Sequence, residues 1–331
     1  MRDAAALRTS MAFTCRWAFA VALLTLPGFS GAQSYPQKAI RVIVPYAPGG
    51  GLDTVGRPVV QKLSEIFSQP VILENRPGGG TTVGTSAVAK AQADGYTLLL
   101  TLSALAIGPS LYPNLPYDPV KDFTPVSWVA TSSYILAVHP SVPARSVREL
   151  IALAKSKPGA LNYSSPGAGT DPHMAMELFQ GLSHVAVNHI PYNGGGPAAT
   201  AAMGGHVDLL FLPTSVGTPF VQGGKLRGIA VSTPRRSALM PDLPTVDEAG
   251  VPGFAAEAWS GILAPAGTPA EVTAKLNAGI VRIVRTPEMK SLLAARMVEP
   301  VGSSPEQFAE RLRSDVAKWK KLVAERGIKL N

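Results

Sequence analysis

Short β-branched runs alternate with helix-period patterns from residue 40 to near the end of the chain, which restricts it to an α/β fold with mostly parallel strands. Ile40-Arg41-Val42-Ile43-Val44 reads as a strand, and residues 52–67 as a helix with Val55, Val59, Leu63 and Ile66 on one face. Residues 71–74, 97–102, 134–138, 161–163, 188–191, 209–212 and 226–232 read as further strands. Residues 82–91 and 172–182 carry helical patterns. Ser146-Val147-Arg148-Glu149 is a capping box opening a helix to about Lys155. A long terminal helix, residues 305–326, has Ser304 as cap and Gly327 as stop. Its Phe308, Leu312, Val316, Trp319 and Val323 recur every three or four residues and face a core.

The chain has 331 residues, 46% of them apolar and only 16% charged, so it can bury the core of a two-lobed domain or two domains. Its 32 Gly and 30 Pro follow no period, which excludes a collagen-like chain. The net charge of +8 is spread out, with no run of five basic residues, so no nucleic-acid-binding tail is expected. Two long extended stretches, residues 126–138 and 255–263, lie far apart in the chain. Both are placed to cross between lobes, which makes the first lobe discontinuous.

The first stretch reads as a leader outside the fold. Arg2, Arg8 and Arg16 precede an apolar run over residues 17–26, broken by Pro27 and Gly28. Ser30-Gly31-Ala32 puts small residues where a signal peptidase cuts, so cleavage is expected after Ala32. The only cysteine, Cys15, precedes the apolar run, which argues against a lipoprotein anchor. The remaining 299 residues have no cysteine, which excludes disulfides and thiolate chemistry from the exported part.

Ligands in open parallel sheets bind beyond the carboxyl ends of strands. Four glycine-rich loops follow such ends. The first is Pro45-Tyr46-Ala47-Pro48-Gly49-Gly50-Gly51-Leu52-Asp53, where Pro48, Gly49, Gly50 and Asp53 are candidate ligand contacts at a helix start; its alternative is a tight turn. The second is Ser164-Ser165-Pro166-Gly167-Ala168-Gly169-Thr170-Asp171-Pro172. Pro172 suits the first helical position, so Thr170 or Asp171 is the cap. Ser165, Thr170 and the amides of Gly167 and Gly169 can wrap a carboxylate without a basic side chain, and Asp171 would compete for the same N–H groups. The third, Pro191-Tyr192-Asn193-Gly194-Gly195-Gly196, offers Tyr192 and close backbone approach at Gly194. The fourth, residues 74–80, reads as a turn.

Enzyme signatures are missing: no phosphate loop, no His-Glu-x-x-His, and no Gly-x-Ser-x-Gly elbow, since Tyr163 stands where its first glycine belongs. The five histidines make no metal-ligand spacing with carboxylates, and no cofactor is implied. His173, in the first turn of its helix, either donates to an anion or packs. Asp208 is a candidate contact or a structural acid. Trp128 and Trp259, in the crossing stretches, read first as core and second as cleft wall.

The loops and their order resemble one family. Tyr35-Pro36-x-Lys38 is followed by Ile43-Val44-Pro45-Tyr46-Ala47-Pro48-Gly49-Gly50-Gly51-x-Asp53, Glu74-Asn75-Arg76-Pro77-Gly78, Asp94-Gly95-Tyr96-Thr97-Leu98-Leu99 and Leu115-Pro116-Tyr117-Asp118-Pro119-x-x-Asp122-Phe123. Ser165-x-Gly167-x-Gly169-Thr170-x-x-His173, Pro191-Tyr192-x-Gly194 and Ala264-Pro265-x-Gly267-Thr268-Pro269 come later. The set resembles the Bug family, periplasmic solute receptors of tripartite tricarboxylate transporters. Pro58 inside the first helix, Thr81 after the fourth loop's glycines and Asp171 depart from its usual pattern.

The resemblance implies a two-lobed Venus-flytrap binding protein of type II, each lobe a mostly parallel sheet flanked by helices. The expected division is a signal peptide over 1–32, a first lobe from 33–134 plus 257–331, and a second lobe from 135–256. It implies a small aliphatic or aromatic carboxylate held by residues 48–53 and 165–173, a soluble periplasmic monomer, and membrane transporter subunits as partners. A periplasmic sensor or scaffold feeding a signalling partner is the alternative. A secreted hydrolase, the remote reading, would need a catalytic Ser with a positioned His.

Overall fold

The computed structural model describes residues 35–329, the Thr54 side chain excepted; the signal-peptide reading and Cys15 fall outside them. Every element below lies in the unit that begins at Lys38. The first sheet has the order β11 (Glu299–Pro300), β4 (Phe123–Ser132), β10 (Ala258–Pro265), β3 (Thr97–Leu102), β1 (Ile40–Val44), β2 (Val71–Asn75). The second has the order β7 (Asn188–Pro191), β6 (Asn162–Ser165), β8 (Leu209–Pro213), β5 (Tyr134–Val138), β9 (Arg227–Val231).

Four strands in each sheet share a direction, but both sheets are mixed. In the first, β1 runs parallel to β2 and β3, while β10 opposes β3 and β4, and β11 opposes β4. In the second, β6 runs parallel to β7 and β8, and β5 opposes β8 and β9. The inverted strands have a topological cause. Strands β5 and β10 begin where the chain crosses from the other sheet, so they start at the edge where the home strands end. The fold is therefore two-lobed α/β, with the carboxyl ends of β1 to β4 and of β6 to β9 on the crossing side.

The stretch 126–138 is two strands, one in each sheet, separated by Ser133. Helix α1 (Gly51–Phe67) buries Val55, Val59 and Leu63, but Ile66 is 37% exposed. Ile66 stands in the last turn, where the helix reaches past the sheet toward Ile283 and Met289. Helix α2 (Thr82–Ala89) and α3 (Ala104–Leu111) follow. At α4 (Val147–Ser156), Ser146 accepts the Glu149 N–H, but the Glu149 carboxylate reaches the Arg145 N–H, so only half of the expected box forms. Helices α5 (Asp171–Ser183), α6 (Gly195–Met203), α7 (Thr214–Gln222), α8 (Ala270–Val284) and α9 (Pro287–Ala294) cover the sheets. The terminal helix α10 (Pro305–Arg326) has the complete Ser304–Gln307 box and ends at Gly327 with φ 61°. Among the described residues no helix is long and apolar enough to cross a membrane.

Helix α10 pins both crossings. Trp259 is fully buried, packs edge-on against Phe308 with ring centroids 5.2 Å apart, and donates Nε1–H to Asp315 at 2.8 Å. Arg311 Nε donates to the same Asp315 oxygen at 2.7 Å, its Nη1 pairs with Glu257, and its guanidinium lies over Trp128. Glu257 also accepts from Thr131 at 3.2 Å, and Lys318 reaches Asp315 at 2.9 Å. Burial alone would raise the Asp315 carboxyl; Lys318 and Arg311 outweigh it and hold it below the usual range.

Arg311→Ala leaves two carboxylates, each under 10% exposed, without their shared cation. Unpairing a buried charge costs about 3–5 kcal/mol. Urea unfolding of the variant should show a loss of this size, and Arg311→Lys should recover part of it.

Candidate functional site

The first loop joins β1 to α1 and is organised by one carboxylate. Asp53 is 4% exposed. Its Oδ2 accepts from Gly49 N–H and from Arg57 Nη2, each at 2.9 Å, and its Oδ1 accepts from Asn75 Nδ2 at 3.0 Å. Asn75 also donates to the Tyr46 carbonyl at 3.1 Å. Burial acts to raise Asp53, but the bonds from Asn75, Gly49 and Arg57 outweigh it and lower its pKa. Asp53 is thus occupied in shaping the loop. Pro48, Gly49 and Gly50 stand exposed above it. Gly49 has φ +83°, and no atom lies within 4 Å of where a side chain would begin. Glycine is required there by conformation rather than by crowding. The fourth loop turns the chain, and its Asn75 braces the first loop, while Glu74 pairs with Arg41 and Arg76.

The second loop is folded on itself. Ser165 is buried, and its Oγ accepts from Gly167 N–H at 3.2 Å and donates to Gly167 O at 3.1 Å. Thr170 precedes α5 but donates its hydroxyl back to Gly167 O at 2.8 Å, so it does not cap the helix through its side chain. Gly169 N–H donates to His173 Nδ1 at 3.0 Å. The Gly167 and Gly169 amides, expected to face a carboxylate, are engaged within the loop. The third loop is stitched onto the second: Tyr192 N–H donates to Ser165 O at 3.0 Å and Gly194 N–H to Pro166 O at 3.1 Å. Asp208 lies apart from the rest. It precedes β8, whose far end is the one near the crossing, and its carboxylate holds Asn162 N–H at 2.7 Å.

Behind the second loop the rings of Tyr163, His189 and His173 stack, with the two imidazole centroids 4.3 Å apart. Burial lowers His173, and burial with its neighbour His173 lowers His189 to about 4. Both rings are neutral at pH 7, as the acceptor role of His173 Nδ1 requires. Ser165 Oγ lies 2.7 Å from His189 Nε2. That is the Ser–His contact a hydrolase would use, but the hydroxyl is 1% exposed, already bonded within its loop, and paired with a base too weak for proton abstraction at neutral pH. The pair locks the loop.

One contact between the lobes is made by Ser103, just past β3, which donates Oγ–H to Asp171 Oδ1 at 2.6 Å. Burial pushes the Asp171 carboxyl up to about 6. Tyr46 and Tyr134 lie nearby, and burial holds both phenols above their usual range. The Tyr46 hydroxyl is buried without a well-formed hydrogen bond.

Between the sheets lies a cavity of about 610 Å³, bordered by Gly51, Leu52 and Val55 of α1, Leu102, Tyr134, Val216, Trp259 and Arg296. A recess of about 380 Å³ beside it is bordered by Gly49, Asp53, Arg57, Pro58 and Arg296. Gly169 instead meets Gly80 and Thr81 around a space of only about 70 Å³. The structure therefore does not gather the expected residues around one cavity. The first loop reaches the large cavity only through Gly51 and Leu52; Pro48, Gly49, Gly50, Asp53, Ser165, Gly167, Gly169, Thr170, His173, Tyr192, Gly194 and Asp208 do not border it. Trp259 is both core and wall. Tyr134 and Arg296 were not anticipated; Tyr134 lies in a crossing stretch, and Arg296 carries no motif that would mark it. Among the described residues no cluster of His, Cys, Asp or Glu is arranged to hold a metal.

Residues 55–328 match the family described as tripartite tricarboxylate transporter family receptor. Protein BugT of Bordetella pertussis is 36% identical over 303 residues, covering 90% of this chain and 92% of BugT. Of solved structures, R. palustris Rpa4515 with adipate is 32% identical with TM-score 0.75, covering 89% of this chain and 99% of that one. MatC from Rhodopseudomonas palustris with bound malate is 31% identical with TM-score 0.72, covering 87% and 100%.

Asp171 titrates near 6 in the folded chain, against about 3.9 for a free side chain. The folded state therefore holds the extra proton between these values, and this group's contribution to stability falls as pH rises through that window. Asp171→Asn removes it. Thermal melts of both proteins from pH 4.5 to 7 should show the variant gaining on the wild type as pH rises; a gap that does not change with pH contradicts the assignment.

Proposed function

The chain belongs to the tripartite tricarboxylate transporter receptor family, and from that premise we propose that it is a periplasmic receptor closing two lobes over a small carboxylate. The observation that carries this reading is the cavity of about 610 Å³ between the sheets, bordered from both sides at the carboxyl ends of strands. The volume suits a small organic acid. The carboxylate class is supported by the adipate-bound and malate-bound relatives. Export through the leader at 1–32 and delivery to membrane transporter subunits complete the reading, with the receptor acting as a monomer.

In this reading the first lobe is 33–134 plus 257–331 and the second is 135–256, with bending at Ser133 and beside Glu257. Pro48, Gly49 and Gly50 present the start of the 17-residue helix α1 to the acid, where the helix end favours negative charge. Asp53 keeps that loop in shape. Pro213, Ser215 and Val216, with Tyr134 of β5, form the second lobe's wall of the cavity; Ser165, Gly167, Gly169, Thr170 and His173, buttressed by Tyr192 and Gly194, would come to face the acid only on closure, and Asp208 holds the far end of the sheet. A ligand touching both lobes favours closure, because only interactions that form as the lobes close can shift the equilibrium.

The test is calorimetry and thermal shift on residues 33–331 with adipate, malate, citrate, acidic amino acids and benzoates. An acid at 1,000 times its Kd should stabilise the fold by about 4 kcal/mol, a rise of roughly 6 °C for a chain this long. Ser165→Ala unpins the second loop and should weaken binding by about 1–3 kcal/mol. No rise with any acid in the panel sinks the receptor reading.

A further inference from the structure

We propose that Arg296 is the charge-reading residue of the interlobe cavity, and that the cavity takes an acid with one carboxylate and an apolar body. This rests on the receptor reading and narrows its ligand class. Arg296 is the charged residue among those bordering the cavity of about 610 Å³, and it also borders the adjoining recess with Gly49 and Asp53. Its Nη1–H donates to Leu292 O at 2.9 Å, and it forms no ion pair among the described residues. The rest of its guanidinium fork is available to a carboxylate.

Arg296 is held at the lobe boundary by its neighbours. Met297 sits in the left-handed region at φ 57°, and its carbonyl accepts from Thr214 Oγ1 at 3.3 Å. Thr214 is buried at the start of α7 in the other lobe. Glu299, which begins β11, accepts from Ser237 of that lobe as well. The strap of residues 296–299 thus belongs by its strand to one lobe and is bonded to the other. The guanidinium thereby stands at the mouth of the cavity, beside the first loop.

The interior is otherwise apolar. Leu52, Val55, Leu102, Tyr134, Val216 and Trp259 form its walls, and Ser132, Ser215 and Ser260 supply only neutral hydroxyls. A second carboxylate pushed inward would leave water without a cation to meet it, which is costly. An aryl or medium-chain alkyl body instead buries its surface against Val216, Leu102 and the neighbouring apolar walls.

The experiment is calorimetry on the intact exported chain with matched acids: hexanoate against adipate, and benzoate against terephthalate, with malate beside them. The proposal expects each monocarboxylate to bind at least about tenfold tighter than its dicarboxylate partner. It expects Arg296→Gln to weaken hexanoate and benzoate about tenfold or more, with Arg296→Lys recovering part. Adipate, terephthalate or malate binding tighter than the monocarboxylates would overturn it, as would an Arg296→Gln protein that binds like wild type, and either result would leave the receptor reading standing. Absence of binding by every acid, in protein that melts cooperatively, would overturn both.

Discussion

The guanidinium of Arg311 is the point on which the two-lobed arrangement turns. It sits between Glu257 and Asp315, over the ring of Trp128, with the Trp259 indole sharing Asp315. Trp128 and Thr131 belong to the outgoing crossing, and Glu257 and Trp259 to the return. One side chain of the terminal helix therefore ties the two connections to each other. A buried ion pair seldom adds net stability over an apolar isostere. Its use here is positional: it fixes where the crossings leave the first sheet.

With the crossings fixed, strand direction determines where chemistry can occur. Strands entering from the other lobe begin at the crossing edge, and home strands end there, so the loops after β1, β3, β6 and β8 converge without any special motif. Two acids at helix starts then behave oppositely. Asp53 accepts from an arginine, an amide side chain and a backbone N–H, and stays ionised. Asp171 is buried with the Ser103 hydroxyl as its cross-lobe partner and is pushed up to about 6. The same residue type serves as a loop frame in one lobe and as a proton-sensitive contact in the other; the difference lies in the neighbours.

Much of the fold was readable because local rules and tertiary context agree. The strand at Thr97–Leu102 and the terminal helix with its cap and glycine stop carry their own signals. Ile66 did not follow its helical period because burial depends on where the sheet ends, which periodicity does not encode. The second loop was recognised as unusual, but its glycine amides were expected to face outward. They are satisfied by Ser165 Oγ and His173 Nδ1, partners fixed by the packing of α5 and β7. Arg296 lies in a loop without glycine or repeat, next to Met297 in a backbone region usually left to glycine, and only the assembled cavity marks it.

The cleft's charge balance follows from these placements. The second lobe's loop contributes no cation, because burial keeps His173 and His189 neutral. Arg57 is spent on Asp53. The groups of positive character that border the cavity are the start of α1 at Gly51 and the guanidinium of Arg296, while the Asp171 carboxyl lies at the contact with Ser103. Negative charge brought near Asp171 would favour its protonated form. A protonated Asp171 can donate to Ser103 as well as accept from it, so the cross-lobe contact survives the arrival of negative charge. The Ser103–Asp171 contact is thus one that both protonation states of the carboxyl can make.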